Sequence, residues 1–70
     1  MQEKPLGPEL LRSWIAREDL SKAEAARKVG TSRAMLWRYL NGESTPSIDA
    51  ALKIERGTDY AVRVMDWVKR

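Results

Sequence analysis

The chain contains neither cysteine nor histidine. Without thiols there is no disulfide framework, and without either residue the usual zinc sites are closed to it. General-base or nucleophilic chemistry would have to rest on Ser, Lys or carboxylates, and no Asp/Glu pair recurs at a spacing that suggests a site. A glycine-rich phosphate loop is also missing. No apolar run approaches membrane-spanning length, and Met1 to Pro8 lacks the apolar stretch of a signal peptide. The expectation is a cytoplasmic protein that is not an enzyme, with no cofactor, no metal, no membrane partner and no evident small-molecule ligand.

Seventy residues allow one core at most, because a chain this short buries only about 60% of its unfolded surface. A hydrophobic share of 43% and a charged share of 33% fit a globular domain held by packing rather than a disordered tail. The net charge of +3 is unevenly spread: residues 1–20 carry −1, 21–42 carry +4, 43–59 carry −2 and 60–70 carry +2. Clustered positive charge is the footprint of a polyanion-binding face, although Lys and Arg also decorate any solvated helix.

Helical spacing recurs along the chain. Pro8 suits a first helical position, and Leu10, Leu11, Trp14 and Ile15 share one face of a helix that fades near Glu18 and Asp19. Ser21-Lys22-Ala23-Glu24 reads as a capping box that starts a second helix, with Ala25, Ala26 and Val29 apolar and Gly30 supplying a left-handed end. Thr31 and Ser32 offer caps for a third helix through Arg33 to Asn41, stopped by Asn41-Gly42. Pro46-Ser47 begins a fourth, in which Ile48, Ala51, Leu52 and Glu55 repeat at helical spacing with Ile54 flanking, until Gly57. Residues 58–70 are ambiguous: Tyr60, Val62 and Val64 alternate like a strand, whereas Ala61, Val64, Met65 and Val68 fit a short helix, the preferred reading. The expected organisation is a flexible arm over 1–7, a domain over 8–57 and a C-terminal segment over 58–70, which docks or dimerises.

Two short helices joined by a tight turn, the second behind a hydroxyl cap, can present a recognition helix to the major groove. The run from Leu20 to Arg33, continuing Ala34-Met35-Leu36-Trp37-Arg38-Tyr39-Leu40-Asn41-Gly42, resembles the Cro/cI-like (XRE-type) helix-turn-helix family of phage and bacterial regulators. The likeness extends through Glu43 to Gly57 and so covers roughly residues 8 to 57. Ala26 stands where the family has a small residue, Gly30 at its turn, and Leu36 and Tyr39 at its core positions. Lys22 in place of the commoner glutamine, Ala25 in place of leucine and Leu40 in place of an acidic residue depart from the pattern. The resemblance implies an all-α domain of four to five helices, of the phage-repressor type. It also implies a transcriptional regulator of the repressor kind that binds a palindromic duplex-DNA operator as a homodimer.

At about 100° per residue, Met35, Leu36, Tyr39 and Leu40 fall on one arc of the third helix, and Arg33, Ala34, Trp37, Arg38 and Asn41 on the other. The first arc should face the core. Arg33 and Arg38 are candidates for bidentate contacts to guanine, and Ala34 for a thymine methyl. Trp37 either packs at the core rim, lies against DNA or joins a protein interface. Ser21, Lys22, Thr31, Ser32 and Asn41 are candidate phosphate contacts, with ordinary capping as the other reading of both serines. Trp14 reads as core. For Val62, Val64, Met65, Trp67 and Val68, dimerisation competes with core packing. The alternative function is a protein-interaction module, antitoxin-like or anti-repressor, on the same scaffold.

Overall fold

The computed structural model describes residues 5–68. Among them, four α-helices, α1 (Gly7–Arg17), α2 (Lys22–Val29), α3 (Arg33–Leu40) and α4 (Ile48–Gly57), precede a 3₁₀ turn at Val64–Trp67. No strand is present among the described residues, and no helix there is long and apolar enough to cross a membrane. The expected arm over 1–7 lies outside the described residues at 1–4, and Gly7 is already helical.

Three helices begin with a serine hydroxyl. Ser21 Oγ accepts from the Glu24 N–H at 3.1 Å, Ser32 Oγ from Met35 at 3.1 Å and Ser47 Oγ from Ala50 at 3.2 Å. The capping box is complete, since the Ser21 N–H donates to Glu24 Oε1 at 2.9 Å. Each bond satisfies an amide that the helix itself leaves without a partner.

All four helices end alike. A residue of positive φ (Asp19 at 54°, Gly30 at 74°, Gly42 at 73°, Asp59 at 54°) reverses the chain. The following N–H then donates back over the last turn: Leu20 to Ile15 O, Thr31 to Ala26 O, Glu43 to Arg38 O and Tyr60 to Glu55 O, at 2.8–3.1 Å. This closure caps the final carbonyls and needs a left-handed residue, which Gly adopts without strain and Asp tolerates. Helix α4 does end at Gly57, but the left-handed residues that follow are Asp59 and Tyr60, at 54° and 69°.

The core joins Leu11 and Trp14 of α1, Ala25, Ala26 and Val29 of α2, Leu36, Tyr39 and Leu40 of α3, Ala51 and Ile54 of α4, and Val62 and Trp67. The stripe expected for α4 is rotated. Ile48 is exposed and Leu52 borderline, while the buried line runs Ala51, Ile54, Thr58. Gly57 sets this rotation by bringing α4 against the backbone of α2: a Cβ there would collide with the Lys28 carbonyl.

Over its described residues, 58–68, the C-terminal segment forms neither strand nor α-helix but a short 3₁₀ helix at Val64–Trp67. It turns back onto the core, where Trp67 lies over Gly7, with no room for a Cβ, and tilts against Tyr39 with centroids 5.9 Å apart. Burial therefore takes Val62 and Trp67 out of the candidate dimer surface. Both are spent on the protein's own core, while Val64 is half-buried and Met65 and Val68 stay exposed.

Candidate nucleic-acid interface

Helix α3 is held from three sides. Small residues in α2 let it approach closely, as Ala25 and Ala26 are both buried, and Leu36, Tyr39 and Leu40 anchor it in the core. At its far end, Arg12 Nη2 of α1 donates to the Leu40 carbonyl at 2.8 Å. Charge-assisted bonds of this kind are roughly twice as strong as neutral ones, so the C-terminal turn is fixed as well as the capped N-terminus. The sequence carries no signal for this Arg12 contact, which spans 28 positions.

The opposite side of α3 faces solvent. Arg33, Ala34, Trp37, Arg38 and Asn41 are all exposed, within an arc of about 140° at 100° per residue. Of the inward arc, Met35, about 60° beyond Arg38, is half-buried, while Leu40, about 20° from Arg33 on the other edge, is buried. Neither Arg33 nor Arg38 is engaged in an ion pair among the described residues. Their guanidinium forks are therefore free to donate outward.

Helix α2 contributes one side chain directly to this surface. Lys22, its first residue, places Nζ 3.6 Å from the centroid of the Trp37 ring. That is a close cation–π contact, with the ammonium over the negative face of the indole. Trp37 remains 45% exposed, so it is not a core residue. Residue types and helical spacing did not reveal this pairing, because the two side chains come from different helices.

The remaining polar candidates lie at helix ends. Ser21 and Ser32 act as caps, each hydroxyl oxygen accepting one backbone N–H. Asn41 is exposed just past α3 and Thr31 is half-buried in the turn. Glu24, the acidic member of the capping box, has its carboxyl held below the ordinary range, chiefly by the Ser21 backbone N–H and secondarily by the Ser21 hydroxyl, with Arg27 and Lys28 adding to it. An open cleft bordered by Trp14, Arg17, Glu18, Lys28, Asp59 and Tyr60 shares no residue with the α3 arc.

A helix-turn-helix family model, HTH_3, matches residues 11–64. The chain belongs to this helix-turn-helix family. The matched span takes in the pair α2–α3 and runs on through α4 to the start of the 3₁₀ turn, further than residue 57 where the resemblance was expected to stop. A solved structure described as an HTH_3 family transcriptional regulator from Vibrio cholerae superposes with a TM-score of 0.73 at 27% identity. The similarity covers 90% of this chain and 34% of that one, so this helix-turn-helix chain spans about a third of the length of that regulator. No curated protein matches the chain.

Proposed function

We propose that this helix-turn-helix protein is a sequence-specific duplex-DNA-binding transcriptional regulator of the repressor kind, acting in the cytoplasm without cofactor or catalytic chemistry. The observation that carries the reading is the outward arc of α3: two unpaired guanidinium groups and an exposed indole on a helix fixed at both ends. Such a helix has the width to enter the major groove of B-DNA, where base edges are distinguishable.

In this reading residues 32–41 enter the groove. Arg33 and Arg38 donate to guanine O6 and N7, and Ala34 and Trp37 supply apolar contacts to bases. Ser21, Lys22, Thr31, Ser32 and Asn41, with the amides at the starts of α2 and α3, bond phosphates and fix the register without reading sequence. A single module of this size buries only about 600–1,000 Å² on DNA. A homodimer on a palindrome, with half-sites about 34–36 Å apart, supplies the missing affinity. Its interface would use the C-terminal candidates that stay exposed, Met65 and Val68, with the half-buried Val64 at its edge.

Selection of bound duplexes from a random pool tests the proposal. A palindromic consensus, with binding that weakens steeply as salt rises, is the expected result. Enrichment of no sequence would leave mere charge attraction, and failure to bind any duplex at low salt would favour a protein-interaction module.

A further inference from the structure

The Lys22–Trp37 contact goes beyond two separate DNA contacts. A tryptophan on an open helical face normally samples several rotamers, and its ordering on binding has an entropic cost. Here the ammonium from the first turn of α2 sits 3.6 Å above the ring centroid, and the ring is tied to a second helix before any ligand arrives. Side chains on a helix lean toward its N-terminus, which directs position 37 toward the turn that carries Arg33 and Ala34. That turn is the one such helices point at base edges.

The chemistry of this element narrows what it can recognise. One face of the indole is covered by Lys22, so a base cannot be sandwiched on both sides of it. Inside the major groove the bases are stacked and offer their edges, and the one apolar group on those edges is the C5-methyl of thymine. The ammonium has three donors, and its contact with the ring leaves it able to reach a phosphate oxygen from the start of α2.

We propose that Lys22 and Trp37 form one composite reading element, in which Lys22 bridges the indole and a backbone phosphate and Trp37 reads the 5-methyl group of a thymine. This rests on the DNA-binding reading above. Lys22 is then a positioning residue for specificity as well as a phosphate contact.

The test uses the selected duplex, with each consensus thymine replaced in turn by deoxyuridine, which removes the methyl alone. The wild type should lose about four-fold in affinity at one thymine per half-site, the worth of burying one methyl-sized group. Trp37→Ala should bind the thymine and uracil duplexes equally. Lys22→Ala should lose most of the discrimination although the tryptophan is intact, and Lys22→Arg should keep it. The geometry is read without DNA by NMR: in the free wild type the Lys22 side-chain methylene protons should be shifted upfield by the indole ring current, and Trp37→Ala should abolish that shift.

Lys22→Ala discriminating thymine from uracil as the wild type does would overturn the proposal, as would Lys22 methylene shifts unaffected by Trp37→Ala. A wild type that selects a consensus but ignores the methyl at every thymine would overturn it while leaving the DNA-binding reading in place. Selection of no consensus would remove both.

Discussion

Gly57 of α4 packs directly on the backbone of Lys28 in α2, with the glycine Cα turned toward the lysine carbonyl so that any Cβ would overlap it. Both partners are backbone, so neither side chain can swing aside. This contact sets the depth at which α4 packs on α2, and α2 in turn supports α3.

Gly57→Ala should therefore lower stability by about 1–3 kcal/mol, as overpacking does, or prevent folding outright. Gly42 makes the contrast. It has a positive φ of 73° and open space around it, so Gly42→Asn, which tolerates that backbone, should cost far less. Thermal melts of the two variants check the order; equal melting temperatures would mean that the helices separate at no cost.

The Ser21–Glu24 capping box gives the fold a measurable response to acid. The Glu24 carboxyl is lowered on folding by the Ser21 N–H. A lowered carboxyl contributes stability above its unfolded value, near 4.3, and loses it as pH falls through the folded value. Wild-type stability should thus fall more steeply than that of Glu24→Gln as pH drops below about 4, with the two curves parallel at neutral pH. Denaturant midpoints across pH 2–7 read the difference. Parallel curves over the whole range would show that the carboxylate contributes nothing that the amide lacks.

Much of the scaffold was legible in residue patterns, because helix starts and stops are local chemistry. Serine caps and the glycine at position 30 act through atoms two to five residues away, and the inward arc of α3 follows from a fixed angular period. The misreadings arose where tertiary contact decides. Helical spacing runs the α4 stripe through Ile48 and Leu52, because hydrophobicity alone cannot tell that a small residue, Gly57, sets the packing face. Trp67 and Val62 read equally well as interface, because burial in a returning tail depends on a route that spacing does not encode. The same limit hid Arg12 and the Lys22–Trp37 pair, each joining elements through space.

Thr58 is the buried polar residue that sequence reasoning passed over, at 2% exposure. Its hydroxyl donates to the Ile54 carbonyl at 2.8 Å and accepts from the Val62 N–H at 3.1 Å, which pins the start of the C-terminal segment to the end of α4. Thr58→Val keeps the shape and leaves the Val62 amide buried without a partner. The expected cost is about 1–3 kcal/mol. Hydrogen exchange should show the Val62 amide opening faster, and unchanged protection there would mean that the hydroxyl is not what holds it.

Arg33 and Arg38 are exposed and make no ion pair among the described residues, so removing either should spare the fold. On the selected duplex, Arg38→Ala should cost about 1–3 kcal/mol and relax preference at one base pair, whereas loss of a phosphate-bound lysine would weaken all sequences alike. Fluorescence anisotropy on consensus and single-substituted duplexes distinguishes the two patterns. An unchanged isotherm for Arg38→Ala would remove that arginine from the reading face.

Met65 and Val68 are the candidates for self-association that the core leaves open, at 66% and 51% exposure. Burying them between two copies would draw on the hydrophobic effect without disturbing Trp67, whose ring is already committed to Gly7 and Tyr39. Charged replacements there, Met65→Glu with Val68→Glu, should leave the monomer folded, since surface substitutions away from special features usually change stability by less than about 0.5 kcal/mol. If the proposed two-fold contact forms here, they should nevertheless abolish it in sedimentation and weaken binding to a full palindrome far more than to an isolated half-site. Val62→Asp, by contrast, buries a charge in the core and should unfold the protein. If the double glutamate variant sediments and binds the palindrome as the wild type does, the two-fold contact must lie on another face.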